Sequence, residues 1–156
     1  MKLATLRTGF GTSAIRIDGD NVGVELDYED VGQLLRSEDW RKAAQLSGEP
    51  VVFDHADLEA VVPTPGKVIC VGLNYAKHIR EMGREFPEHP TLFIKFADAL
   101  TGPYDDVFIP EYGTRKLDYE GELAVIIGER AHRVTRDEAL DYAAGYAIMN
   151  LSLIHI

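Results

Sequence analysis

The stretch LDYEGELAVIIG, residues 117–128, sets the tightest limit on what this chain can fold into. Leu123 to Ile127 is an apolar run that reads as a strand entering a core. Two glutamates, Glu120 and Glu122, stand at its mouth. Side chains alternate along a strand, so Asp118, Glu120 and Glu122 share a face, with neighbours about 6.6 Å apart. Two arrangements fit. The polar face is solvated where the strand begins, or the carboxylates converge on a hard cation such as Mg²⁺, whose charge offsets the cost of burying like charges.

The segments around this strand divide the chain. KLATLR and TSAIRID alternate as strands, and DGDN at 18–21 supplies a turn before VGVELD. Residues 30–46 carry Val31, Leu34, Leu35, Trp40, Ala43, Ala44 and Leu46 at helical spacing, which predicts two short helices with Ser37 as the cap between them. VVPTPG at 61–66 reads as a linker, because each proline removes a donor and biases its predecessor to extended backbone. KVICVG follows as a continuous apolar run, the pattern of a strand covered on both faces. NYAKHIREMG reads as a helix capped by Asn74 and stopped by Gly83, and REFPEHP as loop. TLFIKF and DVFIP read as strands. TRDEALDYAAG reads as a helix with the capping box Thr135–Glu138 and a stop at Gly145, and YAIMNLSLIHI as a final apolar strand.

A net charge of −10 disfavours nucleic acid or an anionic membrane surface as partner. A bound metal can reverse the local field, so anionic small substrates stay open. The single cysteine, Cys70, forms no internal disulfide, which fits a reducing, cytoplasmic setting, and it reads as a small core residue. No apolar stretch approaches the roughly 20 residues of a membrane span. Zinc is disfavoured by one cysteine and no histidine pair at ligand spacing, and GFGT at 9–12 lacks the pattern of a nucleotide loop.

His78 and Glu81 lie three apart on the expected helix and can meet on one face, either as surface neighbours or as a carboxylate orienting an imidazole base. Residues 83–90, with Gly83, Pro87 and Pro90, suit a covering loop or an ordinary connection. Lys95, a lone cation in LFIKF, either faces an anionic substrate or snorkels from an edge strand.

In series, KVICVGLNYAKHIREMG, PTLFIKFADALTGPYDDVFIP, LDYEGELAVIIG and DEALDYAAGYAIMN resemble the fumarylacetoacetate hydrolase family, in the form of its small bacterial members with a short N-terminal domain. Acylpyruvate hydrolases and 2-hydroxyhepta-2,4-diene-1,7-dioate isomerases are of this kind. The resemblance covers residues 66–150 and implies a β-rich α+β fold. A small N-terminal α+β domain (1–62) would precede the first part of a mixed β-sandwich or roll (66–150). It further implies Mg²⁺ or Mn²⁺, with Ca²⁺ a weaker candidate, held by Glu120 and Glu122. His78 and Glu81 would be the acid–base dyad on a lid, and Lys95 a substrate contact. The substrates implied are small anionic 2-oxo acids or 1,3-dicarbonyl compounds. The reaction would be C–C hydrolysis of the acylpyruvate type, or the isomerisation, hydration or oxaloacetate decarboxylation of the same family. The family expectation for the full-length protein is a homodimer. A non-catalytic binding module is the reading from another class.

The resemblance breaks after Asn150, where family members carry an aspartate that completes the metal triad and this chain has Leu151. LSLIHI, residues 151–156, is therefore expected to be a non-native tail. Its codons, read back as CTG TCT CTT ATA CAC ATC, match the end of a common sequencing-library adaptor. A genuine final strand is the other reading. On the first reading the 156-residue chain is a truncated piece, inactive, metal-poor and aggregation-prone, of a longer enzyme.

Overall fold

Alternating apolar residues at the start of the chain form an antiparallel hairpin, β1 (Lys2–Thr8) with β2 (Gly11–Ile17), in register from Lys2 opposite Ile17 to Thr8 opposite Gly11. The reversal places Gly11 at φ +137°, a conformation open to glycine. β3 (Val22–Glu25) and β4 (Pro50–Val52) complete a four-stranded sheet in the order β1-β2-β3-β4. The computed structural model describes residues 1–109, 111–112 and 116–151, and the backbone of 153–154.

Two short helices cover this sheet, α1 (Val31–Leu34) and α2 (Trp40–Ala43). Asp30 caps α1, its Oδ1 accepting from Gln33 N at 2.7 Å. Ser37 is not the cap expected for α2. Asp39 holds that position, and Ser37 contributes only its carbonyl, which accepts from Trp40 N. Ala14 and Ile15, consecutive in β2, point to opposite faces, and each face has its own apolar cluster. Ala14 packs with Leu26, Val31, Leu34, Trp40 and Ala44. Ile15 packs with Ala4, Leu6 and Phe53.

Thr5, wholly buried, joins three segments. Its hydroxyl donates to the Val61 carbonyl at 2.9 Å and accepts from Val31 N at 3.1 Å, satisfying the first turn of α1. Val61 and Val62 pack against the α1–α2 cluster, so the start of the expected linker is anchored to the sheet. Arg7 reaches further along the chain, donating to Glu59 at 2.8 Å and to Asp105 Oδ1 at 2.8 Å.

Past the linker the chain forms three two-stranded antiparallel ladders. β5 (Val68–Gly72) pairs with β6 (Thr91–Lys95). β7 (Leu117–Asp118) pairs with β10 (Leu153–Ile154), and β8 (Gly121–Ile127) with β9 (Ala143–Asn150). Between β5 and β6 lies α3 (Ala76–Glu81).

Three expectations need correction. β5 is not covered on both faces, since Ile69 and Val71 are exposed. Residues 106–109 of DVFIP pair with no strand, and Pro110 lies outside the described residues. Thr135 N and Oγ1 both bond Glu138 Oε2, yet only a 3₁₀ turn over Ala139–Tyr142 follows, and Gly145 lies inside β9. Pairing with β8 gives the 143–150 backbone a full ladder, which overrides the local helical signal.

Two measurements test this frame. Thr5→Val leaves a buried N–H and a part-buried carbonyl without their hydroxyl partner, at a cost of about 1–3 kcal/mol. Urea unfolding followed by the sole tryptophan, Trp40, should show a lower midpoint. Asp105 is held below its ordinary carboxyl value, first by hydrogen bonds from Arg7 and then by Gly102 N–H. Its stabilising contribution is therefore present above the unfolded value, about pH 4, and is lost as pH falls through the lower folded value. Asp105→Asn should flatten the decline of stability below that pH, and an unchanged acid limb would refute the pairing.

Candidate functional site

The β8–β9 ladder sets the orientation of the strand-mouth carboxylates. Leu123, Val125 and Ile127 turn outward and are exposed, while Glu122, Ala124 and Ile126 line the half-buried side. Glu120 lies in the break between β7 and β8, where it exchanges two backbone hydrogen bonds with Leu151. Glu120 N donates to Leu151 O at 3.1 Å, and Leu151 N to Glu120 O at 2.8 Å. Glu120 and Glu122 are both half-buried, whereas Asp118 is exposed. Among the described residues no group of three His, Cys, Asp or Glu gathers as a metal cluster.

α3 begins one residue later than the sequence suggests. Tyr75, in extended conformation, occupies the cap position expected for Asn74, and no side chain caps the helix. Leu73 just before it has φ +53°, a left-handed conformation costly for a branched side chain. Gly83 stops the helix as expected, at φ +64°, with Gly83 N bonded to Arg80 O and Arg84 N to Ile79 O. Ile79, at 2% exposure, is the apolar anchor.

His78 and Glu81 are both exposed and are not hydrogen-bonded to each other. Glu81 instead lies 3.8 Å from Lys77 Nζ, one turn back on the same helix. The side chain that reaches the carboxylates is Tyr75, whose hydroxyl donates to Glu122 Oε2 at 2.9 Å. Sequence reasoning passed over it; its place at a strand-to-helix turn beside Asn74 was the available signal. Residues 84–90 fold beside α3, where Leu73, Asn74, Ile79, Phe86, Pro87 and His89 help line an open cavity of ≈ 320 Å³.

Lys95 ends β6 half-buried, opposite Val68. Its charge meets that of Glu122 at Cys70. Burial pushes the Cys70 thiol up, Lys95 draws it down, and Glu122 raises it further. One thiol thus feels a cation from β6 and a carboxylate from β8.

The chain is similar in sequence and in fold to known proteins. Residues 67–152 match the family model for the C-terminal domain of fumarylacetoacetate (FAA) hydrolase. The chain belongs to the fumarylacetoacetate hydrolase family. It is 47% identical over 96 residues to the oxaloacetate tautomerase YisK of Bacillus subtilis (strain 168), a match covering 60% of this chain and 32% of that protein. The fumarylacetoacetate hydrolase of the psychrophile Exiguobacterium antarcticum superposes with a TM-score of 0.76 at 28% identity, over 97% of this chain and 56% of that one. The 5-carboxymethyl-2-hydroxymuconate delta-isomerase of Mycobacterium smegmatis gives 0.74 at 29% identity, over 97% and 55%. The chain therefore spans about a third of the tautomerase and little more than half of each solved relative. Its strand-rich α+β architecture is that of the family's fold.

The charges around Cys70 have a direct chemical readout. Alkylation by iodoacetamide at pH 8, followed by intact mass, should be slower than for a free cysteine. Glu122→Gln should speed it and Lys95→Gln slow it further. The reverse order would refute the opposing influence of the two charges on the thiol.

Proposed function

We propose that this chain is part of a metal-dependent enzyme that moves a proton at the carbon beside the ketone of a small anionic 2-oxo acid, as a tautomerase or isomerase. The observation that carries the reading is the two half-buried carboxylates at the strand mouth, Glu120 and Glu122, the second bonded by Tyr75. The similarity to an oxaloacetate tautomerase and to a delta-isomerase supports proton transfer. The likeness to a fumarylacetoacetate hydrolase supports a second reading, in which water cleaves an acylpyruvate into a carboxylic acid and pyruvate.

The donor set fits a hard divalent ion in part. Glu120 and Glu122 supply carboxylate oxygens of the kind Mg²⁺ or Mn²⁺ prefers. Opposite Glu120, Leu151 offers only a backbone carbonyl, and that oxygen already accepts from Glu120 N. When bound, the ion would draw electron density from the oxygens of the 2-oxo acid and acidify the neighbouring C–H.

The remaining work falls to this chain's side chains. His78 would accept the proton from the carbon and return it to the oxygen, so tautomerisation conserves every atom. Glu81 would hold the imidazole once its carboxylate leaves Lys77. Lys95 would pair with the substrate carboxylate, orienting it. The exposed side of α3 leaves His78 open to an incoming ligand.

Leu151→Asp tests the reading by placing a third carboxylate opposite Glu120. Titration calorimetry with Mg²⁺ should show affinity rising about tenfold or more over the present chain, since affinity follows ligand charge count. Adding Glu120→Gln should remove the gain. In the Leu151→Asp background, keto–enol exchange of oxaloacetate followed by NMR should exceed that in Mg²⁺ buffer alone, and His78→Ala should abolish the excess. Unchanged affinity would sink the carboxylate reading; exchange that survives His78→Ala would sink the role of the histidine.

A further inference from the structure

We infer that Tyr75 is a positioning residue for the Glu122 carboxylate, fixing one oxygen so that the other is presented to a cation, and tying α3 to the strand that carries the site. The inference rests on reading Glu120 and Glu122 as metal-holding carboxylates. Tyr75 O–H donates to Glu122 Oε2 at 2.9 Å, within ordinary hydrogen-bond range. The same hydroxyl lies 3.5 Å from the Gly121 carbonyl, too long to compete for its single proton. Among the described residues Glu122 Oε1 makes no hydrogen bond and Glu122 no ion pair. One carboxylate oxygen is therefore held, and its lone pairs on the other remain for a ligand.

The backbone explains why this residue can act as a strut. Tyr75 ends the strained turn through Leu73, with extended φ −92° and ψ 111°, immediately before the first residue of α3. A tyrosine has only two side-chain torsions before its rigid ring, so little freedom is lost in holding the bond. His78 and Glu81 follow within two turns of helix, and Ile79 is the buried anchor of α3. A single hydrogen bond thus connects the two segments to which the resemblance assigns metal and proton chemistry. Hydrogen bonds to ligating carboxylates commonly govern affinity, and losing one costs about 10–100-fold.

The test compares the present chain with Tyr75→Phe and Glu122→Gln. Free Mn²⁺ is measured by electron paramagnetic resonance up to millimolar ion, and amide exchange of Ile79 and Met82 by NMR. Tyr75→Phe removes one oxygen and keeps the ring, so the Trp40-monitored urea midpoint of the N-terminal sheet should not move. Mn²⁺ affinity should fall about tenfold in Tyr75→Phe and further in Glu122→Gln, with faster exchange on α3 in both. Affinity unchanged in Tyr75→Phe but lost in Glu122→Gln would overturn the positioning role and leave the metal reading standing. Indistinguishable isotherms for the present chain and Glu122→Gln would overturn the metal reading, and the positioning role with it.

Discussion

The antiparallel ladder between 121–127 and 143–150 is the constraint on which the candidate site depends. Its register puts Glu122 opposite Met149, and the backbone exchange between Glu120 and Leu151 carries the pairing across the break before β8. With period-two alternation, that register puts Glu122 on the half-buried side with Ala124 and Ile126. A slip of one residue would turn Glu122 outward and bring Leu123 and Val125 to the half-buried side. The bulge between Ile126 and Ile127 lies at the far end of the ladder, away from the carboxylates.

The N-terminal sheet and the ladders that follow are stabilised differently. In the former both faces are filled, and Thr5 satisfies donors and acceptors from three segments at its centre. In the latter, Ile69, Val71, Leu92 and Ile94 form one exposed apolar surface, and Leu123, Val125, Tyr146 and Ile148 another. The opposite sides of these ladders hold Lys95, Cys70 and Glu122, half-buried. Arg7 bridges the two regions by way of Glu59 and Asp105, an interaction of modest strength at its partial exposure.

Much of this was legible in the chain because the strongest signals were local. Alternation in KLATLR and TSAIRID marks β1 and β2, and Gly83 marks the end of α3, since backbone geometry at each place admits few residue types. The signals that misled were local as well. Thr135 and Glu138 form the bonds that a helix start requires, and still the helix ends after one turn because β8 claims the following backbone. Ser37 has the right chemistry for a cap, but Asp39 stands one residue before Trp40, which the core holds in place. β4 is three residues long and carries too little pattern to be read.

Four motifs in series were enough to indicate the family, because their order and spacing are properties of the chain in one dimension. The partners of the residues within them were decided only in three. Glu81 lies against Lys77, although helical spacing allowed it to meet His78. Tyr75 reaches Glu122 across 47 residues of chain. Leu151 faces Glu120 through its backbone, 31 positions along the chain. Contacts of that kind depend on strand register and on how one ladder turns toward another, and no local pattern of residues encodes either.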